Sequence, residues 1–273
     1  MEFLKIIALA IIQGLTEFLP VSSGGLSILA GHLMGYDITV AVFISAMLHI
    51  GTLIAIVMVF RKNLYELLLE VGNCIRDAVK GSFTLNFYEI SPTRKMLFML
   101  MVSCLPLLIF LPPLNGAVDS LSLTNLLFIE AICFLISGFV LTLGFVLGGN
   151  KQNYKNMNII SAAAMGLVQV LCVFFPCLSR FALTTGAGLS FKLPKSFVVK
   201  YSFIMSIPAI FMNCLFTFRG ISEADVVIPV FPIIVGVIFS AVIGVFTVKI
   251  LNFLLDKNKL NLFGILNTVF LLS

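Results

Sequence analysis

The chain has 273 residues, 60% of them hydrophobic and 11% charged, with a mean hydropathy of +1.15. A soluble domain of this length carries about 25% charged residues, so a water-covered globule is excluded and lipid must solvate much of the surface. The net charge of +5 lies in short segments between apolar runs, where it sets membrane orientation, and no nucleic-acid partner is expected.

In chain order, 3–19 has a helical composition, but Glu17 and Pro20 bar it from being an ordinary span, and 26–35 is too short to cross alone. Together they predict a hairpin that enters the membrane and returns, turning at 20–25. A full span, 40–60, ends at Arg61 and Lys62. The polar loop 61–95 follows with six basic and four acidic residues, and its 65–80 portion has the pattern of an amphipathic surface helix. Spans are predicted at 96–111 and 123–147, joined by a turn carrying Asp119, and a small loop with Lys151 and Lys155 comes next. The segments 157–175 and 181–191 repeat the hairpin pattern. After Lys192, Lys195 and Lys200, 203–218 crosses to a loop with Arg219, Glu223 and Asp225, 226–255 crosses back, and 260–273 reads as a partial final crossing. No strand pattern occurs. The expected fold is an all-α polytopic membrane protein, one membrane domain over 1–273, with two re-entrant helical hairpins and about six transmembrane helices.

The six cysteines show no paired spacing and read as small buried side chains rather than a metal or disulfide framework. Near the N-terminus only Ile6 and Ile7 lie between Lys5 and the Ala8-Leu9-Ala10 triplet, too short for a cleaved signal, so Met1 onward is expected to be retained. Placing 61–95, 151–156, 192–200 and 249–259 in the cytoplasm puts 14 of the 17 basic residues inside. The first hairpin then has both ends outside and the second both ends inside. Ser23 lies 26 residues before His49 and Ser179 lies 27 before Ser206. This is the signature of an inverted repeat, with halves of about 1–122 and 123–273, an architecture that builds binding sites near the midplane where broken helices meet.

Two stretches carry groups that a packed apolar helix does not need. QGLTEFLPVSSGG, 13–25, holds Gln13, Glu17, Pro20, Ser22, Ser23, Gly24 and Gly25, and GLVQVLCVFFPCLSR, 166–180, ends in Ser179 and Arg180. Polar groups are costly in hydrocarbon unless bound or paired. Each turn precedes a half-helix whose first N–H groups and partial positive charge favour an anion. Gly24 and Gly25 allow close backbone approach, and the Arg180 fork fits phosphate oxygens. Gln13 and Glu17, at i and i+4, share a helical face. A carboxylate beside a diphosphate requires a bridging divalent cation, so Glu17, with Gln13, is the expected metal contact for Mg²⁺ or Ca²⁺. Ser23 is the better-placed nucleophile of the serine pair. An alternative role for Arg180 is a structural clamp on Glu17.

QGLTEFLPVSS, PCLSR, LHIGTLIAI and YSFIMSIPAI resemble, in order and through nearly the whole chain, the undecaprenyl-pyrophosphate phosphatase family of the bacitracin-resistance type. The resemblance implies hydrolysis of undecaprenyl pyrophosphate to the monophosphate and phosphate, which recycles the carrier lipid for cell-wall synthesis. It also implies a bacterial cytoplasmic membrane location with a site opening outward. It assigns the acidic motif to Gln13 and Glu17, the nucleophile to Ser23, and phosphate binding to Ser179, Arg180 and Thr184. The sequence departs from the family pattern at Leu26, where a histidine of acid–base function is usual, and at Cys177 and Phe181, where glycine and serine are usual. His49 is a candidate substitute base, while His32 and Glu130 are assigned no role. A relative that binds or translocates polyprenyl phosphates without cleaving them is the alternative function.

Overall fold

The computed structural model describes residues 2–81, 90–110, 123–148, 157–175, 177–222 and 230–256. These fold into helices without a strand among them. The first hairpin is α1 (Glu2–Thr16) and α2 (Ser23–Leu33), followed by the span α3 (Ile38–Val59). Next come α4 (Arg61–Val79), α5 (Pro92–Phe110) and α6 (Leu123–Gly148). The second hairpin is α7 (Ile159–Phe174) and α8 (Arg180–Ser190), leading to α9 (Lys195–Ser222) and α10 (Val230–Asp256). Five of these, α3, α5, α6, α9 and α10, contain apolar stretches long enough to cross a membrane. Apolar side chains such as Leu105, Leu108, Phe139, Phe246 and Ile250 stand exposed on their outer surfaces, as lipid solvation requires. The protein is therefore a multi-pass membrane protein. The expected crossing at 260–273, the Asp119 turn and the Lys151/Lys155 loop lie outside the described residues, as do the 122/123 boundary between repeat halves and the Glu223/Asp225 loop.

Sequence accounts for where the helices stop. Pro20 disfavours helical backbone at the residue before it, and α1 gives way to turns over 17–20. The short helices restart on hydroxyl caps: the Ser22 side chain accepts from Gly25 N–H, and the Ser179 side chain from Ala182 N–H. Asn158 and Ser161 form a reciprocal capping box at the start of α7. The expected surface helix is α4. It is continuous with the end of α3 and pinned to the start of α5 by Arg94, which bonds Glu70 at 2.5 Å and Asp77 at 2.7 Å.

A repeat is visible in side-chain detail, with each residue of the second set numbered 157 above its counterpart. Ser22 and Ser179 are the two caps. Gly31 packs against Ala41 as Gly188 packs against Val198. Gly35 (φ 90°) and Lys192 (φ 59°) are the left-handed residues that turn the chain from each half-helix toward its span. In this register the counterpart of Ser179 is Ser22, not Ser23 as the sequence spacing suggested, and Ser22 lies 27 residues before His49, as Ser179 does before Ser206. The helix packing follows suit: α1 lies on α10 as α7 lies on α5, α2 on α3 as α8 on α9, and α3 crosses α9.

The hairpins enter from opposite ends of the bundle. At one end Tyr36 donates to Glu2 at 2.7 Å, Lys5 lies over the Tyr36 ring, and Phe3 stacks on Phe231 at the start of α10. At the other, Phe60, Leu67, Met96, Met157, Leu193 and Leu251 share one apolar cluster. Small residues let the helices approach closely. A Cβ on Gly166 of α7 would fall 2.3 Å from the Ser103 carbonyl oxygen of α5, whereas one on Gly72 of α4 would meet nothing within 4 Å. Gly166→Ala should therefore cost about 1–3 kcal/mol by overpacking. Gly72→Ala should be neutral or stabilising by up to about 1 kcal/mol through helix propensity. Thermal unfolding in detergent, compared between the two variants, measures the difference.

Candidate active site at the meeting of the two elbows

The breaks in the hairpins meet at the centre of the bundle. Glu17, at the end of the first elbow's descending arm, is buried and holds a different donor on almost every side. Its Oε1 takes the Arg180 guanidinium, from 163 residues further along the chain, at 2.5 Å. Its Oε2 accepts from the Ser23 hydroxyl at 2.6 Å and from Gln13 Nε2 at 3.0 Å, and His49 Nε2 lies 3.2 Å from the same oxygen. A single carboxylate thus gathers one residue from each of α1, α2, α3 and α8.

Each partner is placed by backbone geometry. Ser23 and Arg180 are the first helical residues of α2 and α8, directly after the two serine caps, so both side chains leave from helix ends that carry partial positive charge. Gln13 is fully buried one turn before Glu17, and its Oε1 accepts from Ser27 at 2.6 Å. His49 Nδ1 lies 2.7 Å from the Ser45 carbonyl. Both ring nitrogens of His49 therefore face oxygen atoms, one on the backbone of its own helix and one on Glu17. Arg180 is the fixed cation beside this carboxylate, and the two half-helix N-termini add partial positive charge.

The remaining expected residues sit one layer back. Ser22 is buried and occupied with capping, which separates it from its neighbour Ser23, whose hydroxyl points at Glu17. Ser179 caps α8, and its own N–H donates to Ser137 of α6 at 3.0 Å. Thr184 bonds the Arg180 carbonyl at 2.7 Å and also the Ser202 hydroxyl, tying the start of α8 to α9. Gly24 lies in the first turn of α2. Gly25 has the Glu130 carboxylate against it, so close that a Cβ there would overlap Glu130 Oε2. Cys177 and Phe181, two departures from the family pattern, are buried. Phe181 stacks on Phe203 with ring centroids 5.0 Å apart.

A narrow cleft of about 10 Å³ adjoins Glu17 and Arg180, lined also by Phe18, Ile56, Phe181, Ser202, Phe203 and Ser206. That is room for about one water, less than a diphosphate occupies. Ser27, Ser202 and the placement of Glu130 escaped the sequence reading. The signal for the serines was the 157-residue register, which pairs Ser27 with Thr184 and Ser45 with Ser202. For Glu130 it was the rule that a carboxylate within a membrane span is functional by default. Glu17 is the carboxylate of the site. Among the described residues no three His, Cys, Asp or Glu side chains converge as a metal cage. A divalent cation would have Glu17 as its one charged protein ligand among the described residues, with the Ser23 hydroxyl beside it. Gln13, expected as a second contact, turns its amide nitrogen to Glu17 and its oxygen to Ser27, so it does not fit that role. This suits an ion held chiefly by substrate phosphates.

Fold and site together define a membrane-embedded protein with a hydroxyl, a carboxylate and a guanidinium converging at two helix N-termini, a constellation suited to phosphoryl chemistry. The chain belongs to the bacitracin resistance protein BacA family, whose model matches residues 6–272. It is 30% identical over 267 residues to an undecaprenyl-diphosphatase of Methanobrevibacter smithii, covering 97% of this chain and 93% of the relative. It is 31% identical over 272 residues to an undecaprenyl-diphosphatase of Alkaliphilus metalliredigens, covering 97% and 94%.

The two elbow serines differ in a way that stability measurements separate. Ser22→Ala removes the cap of α2 and should lower stability by about 0.5–2 kcal/mol. Ser23 caps nothing, but Ser23→Ala takes a donor from the buried Glu17 carboxylate, costing about 1.5–3 kcal/mol. In a Glu17→Ala background that cost should vanish while the Ser22→Ala cost persists.

Proposed function

We propose that the protein hydrolyses undecaprenyl pyrophosphate to undecaprenyl phosphate and phosphate at the meeting of the elbows, recycling the lipid carrier of cell-wall synthesis, the activity that underlies bacitracin resistance. The observation that carries the reading is the Ser23 hydroxyl donating to Glu17 at 2.6 Å with Arg180 on the opposite carboxylate oxygen. This is a nucleophile already on its base, with a phosphate-binding fork alongside. The diphosphate draws Arg180 from Glu17 to its own oxygens, and the two half-helix N-termini receive its remaining charge. Relieved of its strongest partner, Glu17 takes the Ser23 proton as Ser23 Oγ attacks the terminal phosphorus. The bond from that phosphorus to the bridging oxygen breaks, and undecaprenyl phosphate leaves. Water then attacks the phosphoserine, Ser23 recovers a proton, and phosphate departs. Arg180 and the helix ends stabilise the charge that develops on the equatorial oxygens.

His49 acts on Glu17, which stands directly on Ser23. Its Nε2 lies 3.2 Å from Glu17 Oε2, within reach of the proton that Glu17 acquires. This leaves acid–base chemistry intact although Leu26 carries no titratable group, and it favours an enzyme over a binding-only relative. A Mg²⁺ or Ca²⁺ ion held by Glu17 and the substrate would neutralise the diphosphate charge as a Lewis acid.

The membrane is the cytoplasmic membrane, with the lysine-rich end of the bundle inside. Phe203 packs on Phe18, Phe60 and Phe181 with centroids 5.0 to 5.8 Å apart. These rings belong to the cluster at the lysine-rich end and also line the narrow cleft beside Glu17 and Arg180, so a site that opens outward requires them to stay closed on the cytoplasmic side.

Phosphate release from an isoprenoid pyrophosphate in detergent should fall at least tenfold in Ser23→Ala and Arg180→Ala. In Glu17→Gln it should fall by about 10²–10⁴, the usual contribution of a general base. Retention of full turnover by Ser23→Ala would remove it as the nucleophile. Chelation with EDTA should abolish phosphate release and added Mg²⁺ or Ca²⁺ restore it; activity indifferent to chelator would remove the divalent ion from the reaction.

A further inference from the structure

Glu130 is the buried carboxylate that the mechanism leaves unused. It projects from α6 and is only 7% exposed, and among the described residues neither of its oxygens has a hydrogen-bond partner. Its carboxylate is packed against Gly25 in the first turn of α2, Oε2 foremost, where any Cβ would overlap it. The nearest polar groups are the Ser22 hydroxyl, already capping α2, and the Cys177 thiol of the second elbow. Seven residues further along α6, Ser137 accepts the Ser179 N–H. One helix thus sets a polar group against each elbow, but only the contact at the second elbow is satisfied within the protein.

An unpaired carboxylate in such surroundings is expensive when ionised. Among the described residues, the titratable groups facing Glu130 are the Cys133 thiol on its own helix and the Cys177 thiol from the second elbow, and α2 presents the Ser22 hydroxyl. None of these is a cation. An ionised Glu130 would also hold the end of α2 that receives the substrate's phosphate, and two anions cannot share one helix terminus without repulsion. A proton resolves both conflicts, because a carboxylic acid is neutral and carries an O–H donor aimed at the helix end.

We propose that Glu130 is a further substrate-binding residue: a protonated carboxyl that donates a hydrogen bond to the diphosphate seated on the N-terminus of α2. The inference rests on the proposed diphosphate site and adds one ligand to it, from an element that supplies no other group to the site. Gly25 is what makes room for it, since any side chain there would push the carboxyl away. Raising the pH ionises Glu130, turning a donor into a repelling charge, so affinity for the diphosphate falls as pH rises.

The experiment has two arms on the full-length protein in detergent. Infrared difference spectra on adding inorganic pyrophosphate should show a shift of a protonated-carboxyl C=O band that is absent in Glu130→Gln. In steady-state hydrolysis of an isoprenoid pyrophosphate, Glu130→Ala should raise KM at least tenfold, a typical size for a lost hydrogen bond to a charged group, with a smaller change in kcat. Glu130→Gln should retain a donor and lose the wild-type rise of KM with pH. Absence of the band, its indifference to pyrophosphate, or a Glu130→Gln effect confined to Mg²⁺ dependence would each overturn the assignment. If the band shifts while wild type releases no phosphate, the hydrolytic function fails and the Glu130 contact stands.

Discussion

The contact between Glu17 and Arg180 is the constraint on which the rest of the structure depends. It joins the ends of two hairpins that enter the bundle from opposite sides and that share no sequence-local contact. In a low-dielectric interior neither charge is tolerable alone, so the two elbows are held at a common depth. The further donors on Glu17, from Ser23, Gln13 and His49, fix the carboxylate rather than leaving it free to follow the guanidinium. The clamp and the proposed phosphate-binding role of Arg180 are therefore not competitors: under that proposal the contact that joins the elbows is the one the substrate opens.

The repeat explains why the site has the parts it has. Two half-helices with the same cap, the same close packing two turns later and the same left-handed exit deliver their first residues to one point. What differs is the residue at that first position, serine in one repeat and arginine in the other. The span positions opposite have diverged likewise, into His49 in α3 and Ser206 in α9. A symmetric scaffold thereby holds an asymmetric set of side chains: a hydroxyl and a carboxylate from one repeat, and a guanidinium from the other. A second polar layer of Ser27, Thr184 and Ser202 keeps both half-helices in register with their spans.

Close helix approach makes this depth of burial possible. Carbonyl oxygens of α5 and α10 pack onto glycines of α7 and α1, respectively, where no side chain would fit. With lipid outside, there is no hydrophobic drive between helices, and such packing and interhelical hydrogen bonds take its place. The aromatic group around Phe203 does the complementary work, filling the space between the polar centre and one end of the bundle with rings that cannot hydrate it.

The sequence by itself determined the solvent, the spans and the chemistry. A chain this apolar can fold only in lipid, prolines and serines at 20–23 mark a broken helix, and an arginine at the second break demands an anion or a carboxylate. The residues Glu17, Ser23 and Arg180 were legible because each is costly in hydrocarbon without a partner. Tertiary structure decided which hydroxyl faces the carboxylate, since Ser22 and Ser23 are adjacent in sequence and part only when one becomes a helix cap and the other the first helical residue. It also decided that His49 reaches Glu17 and that Glu130 lies on Gly25. Both follow from how α3 and α6 are rotated against the elbows, and no local pattern encodes that rotation, because helices that are apolar all round carry no stripe to fix it.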